Sequence, residues 1–545
     1  MAGIESIFGN EKWMHMIPKR QGKPGLIGRV SVGFVSRTGK AILAVALAAI
    51  LCGAPLSQPI AEGAPRATTS TNAPLPAGLP QNTYFDVTQG KGYRFNRGGW
   101  IYVHLEGSPH DIGYQHGYLL ATEISDAFEV VRLEDTHQTG RDWEFFRRAA
   151  REMLWPKIDP EYQSEMFGIV DGLQARGGKL DIWDIVALNA FSELADYYVP
   201  WLDKQTSTQK GSMDPSPRRE SAKLEDFNHC SAFVATGSWT RDHQIVMAHN
   251  NWTTYMEGVR WNIIFDISPE HGYRMLMDGF PGVITSDDDF VVNSAGLMIT
   301  ETTISNFSGW DPNGKPEFMR SRKAAQYADS IDSYAKIMLD GNNGGYANDW
   351  LIGDRKTGEI ARLELGLKHT KLWRTMDGYF SGANFASDPD VIKDETTYDP
   401  NNPASSMNAR KLRWDQLLNG NKGKIDTQLA EIFLADHYDT YTKKEGANRR
   451  TICGHGDMEP EVLPDSTSAP FTPSGAVQAK VIDSGLAERM DFIARIGHPC
   501  GTDFDAAKFL AAHPEFSWEA PVLRDMIAGP WTDFRIGEHA AQEGQ

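Results

Sequence analysis

Residues 230–252 read CSAFVATGSW, then TRDH, then QIVMAHNNW. The two flanks are rich in β-branched, small apolar and aromatic residues, and the four residues between them are polar. That is the pattern of a β-hairpin. It recurs downstream. VRWNIIFDI (259–267) and YRMLMDGF (273–280) flank SPEHG; DFVVNS (289–294) and LMITETT (297–303) flank Ala-Gly; DWLIGD (349–354) and IARLELG (360–366) flank RKTGE. Helical runs lie between and after these pairs: SRKAAQYADSIDSYAKIML (321–339), SSMNARKLRWDQLL (405–418) and DTQLAEIFLADHY (426–438). Strands in runs, with helices in runs, predict an α+β fold.

Working outward, the text changes abruptly before Cys230. DKQTSTQKGSMDPSPRRESAKLEDFNH (203–229) is polar, rich in Ser, Lys and Pro, and nearly free of aliphatic residues. It reads as a flexible linker. Residues 84–202 predict a mostly helical part. DIGYQHGYLLATEISDAFEVVRL and IDPEYQSEMFGIVDGL space their apolar residues as a helix does, and Asp181 is placed to cap a further helix. Lys19, Arg20, Lys23, Arg29, Arg37 and Lys40 precede the apolar run Ala41–Leu51, and Ala61 and Gly63 stand at the minus-three and minus-one positions of a cut before Ala64. Residues 1–63 therefore read as a secretory signal, because a spanning helix needs about 20 apolar residues. Residues 64–83 form a Pro/Ser/Thr linker. The organisation expected is signal 1–63, linker 64–83, a small chain 84–202, a processing linker 203–229 and a catalytic core 230–545. The compartment expected is the periplasm or the exterior, or a lysosome-like one in a eukaryote, with no stable membrane anchor.

A net charge of −18 argues against a nucleic-acid partner, which would require a basic patch or stripe. Of the four cysteines, Cys52 leaves with the signal. An odd number then remains, which suggests one free thiol in an exported chain. Cys453 and Cys500 are candidates for a disulfide, which export permits, leaving Cys230 free; three unrelated buried thiols are the alternative. The residues around Cys453 and Cys500, with GHGD at 454–457 and HPC at 498–500, also raise zinc, but their spacing matches no standard finger. Asp287, Asp288 and Asp289 raise calcium, which takes six to eight oxygens, often from alternate loop positions. Three consecutive acids before a strand predict a turn or one buried carboxylate instead. No metal and no cofactor are expected.

Cutting the chain before Cys230 would place a thiol and an α-amine on one residue. Their ordinary pKa values, about 8.5 and about 7.7–8.0, allow the amine to take the thiol proton near neutrality. N-terminal amines are known activating bases for nucleophiles. The carbonyl attacked during such a cut would be that of His229.

Several motifs then carry a resemblance. CSAFVATGSW through AHNNWTTY, GFPGVITSDDDF, GLMITETT, NNGGYANDWLIGD, PSGAVQAKV and HPEFSW occur in this order between Cys230 and Trp518. Together they resemble the phospholipase B-like family, a branch of the N-terminal nucleophile (Ntn) hydrolases. DIGYQHG and DGLQARGGKLDIWDIVALN are similar to the related acyl-coenzyme A:6-aminopenicillanic acid acyltransferases. The resemblance implies a four-layer αββα sandwich wrapped by an N-terminal helical region, self-processing before Cys230, and association of the two processed chains. It implies Cys230 as nucleophile with its freed amine as base. It implies Asn384, in GANFASD, as oxyanion donor, and Asn251, in HNNW, as holder of the α-amine. Arg410, in SSMNARK, is implied beside the thiolate, with His249 and Trp252 lining the substrate pocket. The function expected is hydrolysis of acyl amide or ester bonds in lipid-like or N-acyl small molecules through an acyl-enzyme. Acyl transfer to an amine and a secreted binding protein with a degenerate site are the alternatives.

Overall fold

A computed structural model describes residues 85–86, 92–209, 230–287, 290–461 and 470–539. The signal, the linker 64–83, His229, Asp288 and Asp289 lie outside the described residues. Residues 203–209, assigned to the processing linker from composition, continue the helix Val199–Gln209.

The expected hairpins form, and they assemble into two sheets. The six-stranded sheet runs in the order Gly378–Gly382, Ser231–Thr236, Val246–Thr254, Ser474–Asp483, Asp491–Ile496, Thr532–Arg535. All of its pairings are antiparallel. In the ten-stranded sheet, the pairs around Ile263–Pro269, Leu297–Thr303 and Asn348–Asp354 match the hairpins read from sequence. The strand Ser231–Thr236 is buried along its whole length, and strand alternation divides its contacts. Ala232 and Val234 join an apolar cluster with Ile264, Leu276, Met298 and Leu351 of the other sheet. Phe233 points the opposite way, to Trp414 and Phe433 at ring separations of 5.3 and 6.2 Å. Those two rings belong to the helices Ser406–Gly420 and Thr427–Leu434. On the outer face of the large sheet lie Pro109–Leu119, Glu317–Tyr327 and Ile331–Leu339. The stacking is helix, sheet, sheet, helix, so the α+β class and the αββα layering both hold.

The N-terminal part is not only helical. Tyr93–Arg97 and Trp100–Gly107 form a hairpin in the large sheet, and the second of them pairs in parallel with Ile263–Pro269. The turn between them is Gly98-Gly99, with φ of +61° and +91°, a two-residue connection whose central residues both need positive φ. Behind this hairpin two helices, Pro109–Leu119 and Pro160–Ala175, cross at backbone contact. A Cβ on Gly113 or Gly117 would stand 1.8 or 2.0 Å from a carbonyl oxygen of the facing helix, and one on Gly168 or Gly172 2.3 or 2.1 Å. The expected cap is present. Asp181 accepts from the backbone N–H of Trp183 and Asp184 at the start of Ile182–Asn189, in a capping box with Asp184.

Candidate active site

Cys230 immediately precedes the strand Ser231–Thr236 and is 2% exposed. Because Ser231 lies opposite Asn250, the next position along places Cys230 against Asn251. The Sγ of Cys230 lies 4.0 Å from Asn251 Oδ1 and 3.9 Å from Glu301 Oε1. His249 is two residues from Asn251, on the same face of its strand. It is fully buried, and a ring nitrogen lies within 4.8 Å of the Cys230 sulfur and a Glu301 oxygen. The sequence reading made His249 a pocket-lining residue; the structure places it beside the sulfur.

Arg410 is fully buried and is the hub of the site. Its Nη1 donates to the Cys230 carbonyl at 2.7 Å and to Ser231 Oγ at 3.0 Å, its Nη2 to Asn384 Oδ1 at 3.0 Å, and its Nε to Ser406 Oγ at 3.0 Å. Its guanidinium lies 4.5 Å from the centre of the Trp252 ring. The arginine expected near the thiolate is thus bonded to the residue that carries the sulfur. Its guanidinium holds the Cys230 carbonyl together with Ser231 and Asn384, because a planar fork satisfies several fixed acceptors at once. Asn384 is fully buried with φ of +66°, a conformation Asn tolerates better than most residues. Its Nδ2 donates to the Thr303 carbonyl at 2.8 Å. Asn251 Nδ2 is buried and makes no hydrogen bond, which leaves a donor on the residue beside the Cys230 sulfur.

A small pocket lies at Cys230, walled by Phe191, Trp252, Trp261 and Tyr346, with Ser192, Asn251, Glu257 and Asp287 supplying polar groups. Burial, with Glu301, Cys230 and Asp287 nearby, raises the Tyr346 phenol well above its usual value. Burial also raises the carboxyl of Glu257, and raises Glu134 still further, Glu257 adding to the effect there. Asp287, the first of the three consecutive acids, is 8% exposed with φ of +68°, which fits a turn with a buried carboxylate.

Glu301 was not singled out in sequence. It sits inside LMITETT, a stretch that reads simply as a strand. The only signal was its place within one of the motifs shared with the family. Trp252 packs both on Arg410 and on the loop carrying Cys453: a Cβ on Gly454 would stand 2.0 Å from its ring. Cys453 and Cys500 are brought together, as expected, but both are free thiols. His455 Nε2 lies 3.4 Å from one sulfur and 3.6 Å from the other, so the two converge on an imidazole nitrogen.

Comparison with known proteins adds several likenesses. The model of the Phospholipase B family matches residues 135–372. A phospholipase B-like 1 protein of Caenorhabditis elegans is 26% identical over 421 residues, 70% of this chain and 69% of the relative. Phospholipase B of Crotalus adamanteus is 24% identical over 464 residues, 74% of this chain and 77% of the relative. Phospholipase B-like 1 of Homo sapiens is 28% identical over 45% of this chain and 47% of its own. Among solved structures, a variant conjugated bile acid hydrolase of Clostridium perfringens matches 50% of this chain and 82% of its own, at 12% identity and a TM-score of 0.24. That likeness is too loose to bear on fold or function.

Proposed function

We propose, for a chain similar to the phospholipase B-like proteins, a self-processing cysteine hydrolase that uses Cys230 to cleave acyl amide or ester bonds. The observation that carries this reading is the placement of the Cys230 sulfur, at a pocket and 4.0 and 3.9 Å from Asn251 and Glu301. The grip of Arg410 on the Cys230 carbonyl supports it, since a nucleophile must be held in a fixed geometry.

Processing begins when the Cys230 thiol attacks the carbonyl carbon of His229. A C–S bond forms, the peptide C–N bond breaks, and the departing nitrogen becomes the α-amine of Cys230. Water then hydrolyses the thioester and leaves a carboxylate on His229. In turnover, the freed amine takes the thiol proton as sulfur attacks the substrate's acyl carbon, and passes it to the leaving amine or alcohol. Water releases the acid from the thioester. Asn251 Oδ1 and the Glu301 carboxylate are the acceptors available to hold the α-amine. The amides of Asn384 and Asn251 are the donors available to the oxyanion. The aromatic walls Phe191, Trp252, Trp261 and Tyr346 suit an apolar acyl group, and the acidic floor of Glu257 and Asp287 suits the amine side of an N-acyl amide.

The residues that read as a signal, and the lack among the described residues of a helix long and apolar enough to cross a membrane, fit an exported enzyme. Denaturing intact mass spectrometry with N-terminal sequencing tests the proposal. The wild type is expected as two fragments, one beginning at Cys230, and Cys230→Ala as a single chain. An uncut wild type with no acyl hydrolysis across amide and ester substrates would overturn it. Transfer of the acyl group to an added amine would reassign the second half-reaction from water to amine.

A further inference from the structure

Away from Cys230, four side chains from three segments of the core converge. Cys453 and His455 belong to the segment before the strand Ser474–Asp483, His437 follows the helix Thr427–Leu434, and Cys500 follows the strand Asp491–Ile496. One ligand atom from each lies within 4.8 Å of all the others. We propose that His437, Cys453, His455 and Cys500 bind a structural divalent metal, zinc by the chemistry of the donors.

The distances suit that ion. Zinc–sulfur bonds of about 2.3 Å and zinc–nitrogen bonds of about 2.0–2.1 Å at a tetrahedral angle put sulfur and nitrogen about 3.5 Å apart. His455 Nε2 stands 3.4 Å from Cys453 Sγ and 3.6 Å from Cys500 Sγ. Cys453 and His455 are 0% and 1% exposed. One ring nitrogen of His437 lies within 4.8 Å of the other three ligand atoms. Cys500 is half-buried and gives an entry path. Two thiolates and two imidazoles form a closed set of the kind that serves structure.

The surroundings support the same ligand. The other ring nitrogen of His455, Nδ1, faces Asp457 Oδ1 at 3.8 Å. Asp457 in turn accepts from the Tyr255 hydroxyl at 2.6 Å. A carboxylate behind a ligating histidine orients the ring and raises its basicity. The sequence spacing hid the set because its members come from three segments that meet only in the fold. The site also reaches the catalytic pocket. Asn250, between His249 and Asn251, donates to the carbonyls of Leu434 and Ile452 at 2.9 and 3.1 Å, and Gly454 packs on the Trp252 ring. A metal here would fix the floor beneath Asn251 and Trp252.

The test uses the full chain purified without chelator or reductant. Elemental analysis is expected to find about one zinc per chain, and alkylation in denaturant with chelator to label both Cys453 and Cys500. Cobalt(II) exchanged into the site is expected to show the intense visible bands of a tetrahedral site with sulfur charge transfer. Cys500→Ser should shift and weaken the charge-transfer band, and His437→Ala should alter the visible bands. Asp457→Asn should weaken metal binding about 10- to 100-fold and preserve the cobalt spectrum. A Cys453–Cys500 disulfide in the unreduced protein overturns the proposal. So does reduced wild type that takes up neither zinc nor cobalt, or that gives a cobalt spectrum without sulfur bands. These wild-type readouts decide the question whether or not any variant folds.

Discussion

At Asn384 two physical roles are superimposed, and one pair of variants separates them. Its side chain joins Arg410 to the Thr303 carbonyl, and its backbone sits at φ +66°. Asn384→Gly and Asn384→Ala both delete the amide, but only Ala pays the left-handed backbone strain, about 1–2 kcal/mol. If the amide serves the oxyanion, both variants are expected to lose about 100- to 1000-fold in kcat, with Ala melting below Gly. Equal activity losses with unequal melting temperatures would support the chemical role. Recovery of activity in Asn384→Gly would show that backbone geometry is what the position supplies. At this scale the shared motifs made Cys230, Asn251, Asn384 and Arg410 legible. They could not disclose what each atom touches. The bonds of Arg410 to the Cys230 carbonyl, Ser231 and Asn384 belong to the fold and not to any local pattern, and Glu301 was not singled out because a buried acid in a strand leaves no mark on an apolar pattern.

Between elements, Glu193 joins the N-terminal part to the core. It begins the π-helix Glu193–Tyr198. Its Oε1 accepts from the backbone N–H groups of Glu317 and Phe318 at 2.8 and 3.3 Å, and its Oε2 from Asn343 Nδ2 at 2.6 Å. Glu317 and Phe318 begin the helix Glu317–Tyr327, so the carboxylate caps a helix from another segment. Burial outweighs these hydrogen bonds and raises the carboxyl to about 7. In the unfolded chain a glutamate titrates near 4.3. The folded state therefore holds the extra proton between these values, and stability from this group is full below about 4.3 and is lost as pH rises to about 7. The loss is about 4 kcal/mol at most. In the uncut Cys230→Ala background, where unfolding stays unimolecular, Glu193→Gln is expected to remove this slope. Urea titrations at intervals from pH 5 to 8 would reveal it as the difference between the two proteins. A difference that stays constant across the window would contradict the assignment. Elements were legible where hairpin turns punctuated apolar runs. The N-terminal hairpin was missed although YRFNRGGWIYVHLEG carries a Gly-Gly turn, because the long helical runs after it dominated the reading. Its parallel pairing with Ile263–Pro269 joins segments more than 150 residues apart, and no local pattern encodes that.

For the whole molecule, a cut before Cys230 would divide a single cooperative structure. Residues 92–209 contribute two strands to the large sheet, and the bonds across the proposed cut are buried. Asn189 donates to the Gly282 carbonyl at 2.9 Å and accepts from the Ile284 N–H at 2.8 Å. His116 Nε2 accepts from the Gly282 N–H at 3.0 Å. Arg322 and Glu165, both nearly inaccessible, pair at 3.1 Å. The pocket is shared as well, with Phe191 and Ser192 on one side of the cut and Cys230 and Trp252 on the other. Neither fragment could keep these contacts alone. Breaking one buried ion pair by removing a partner already costs about 3–5 kcal/mol. The processed fragments are therefore expected to elute together as one species in native size exclusion and to separate only in denaturant. Acyl hydrolysis should disappear over the same urea range in which they part. A C-terminal fragment that stays active after the N-terminal one has been stripped away would show that Phe191 and Ser192 are dispensable, and the substrate pocket would then have to be rebuilt from core residues alone.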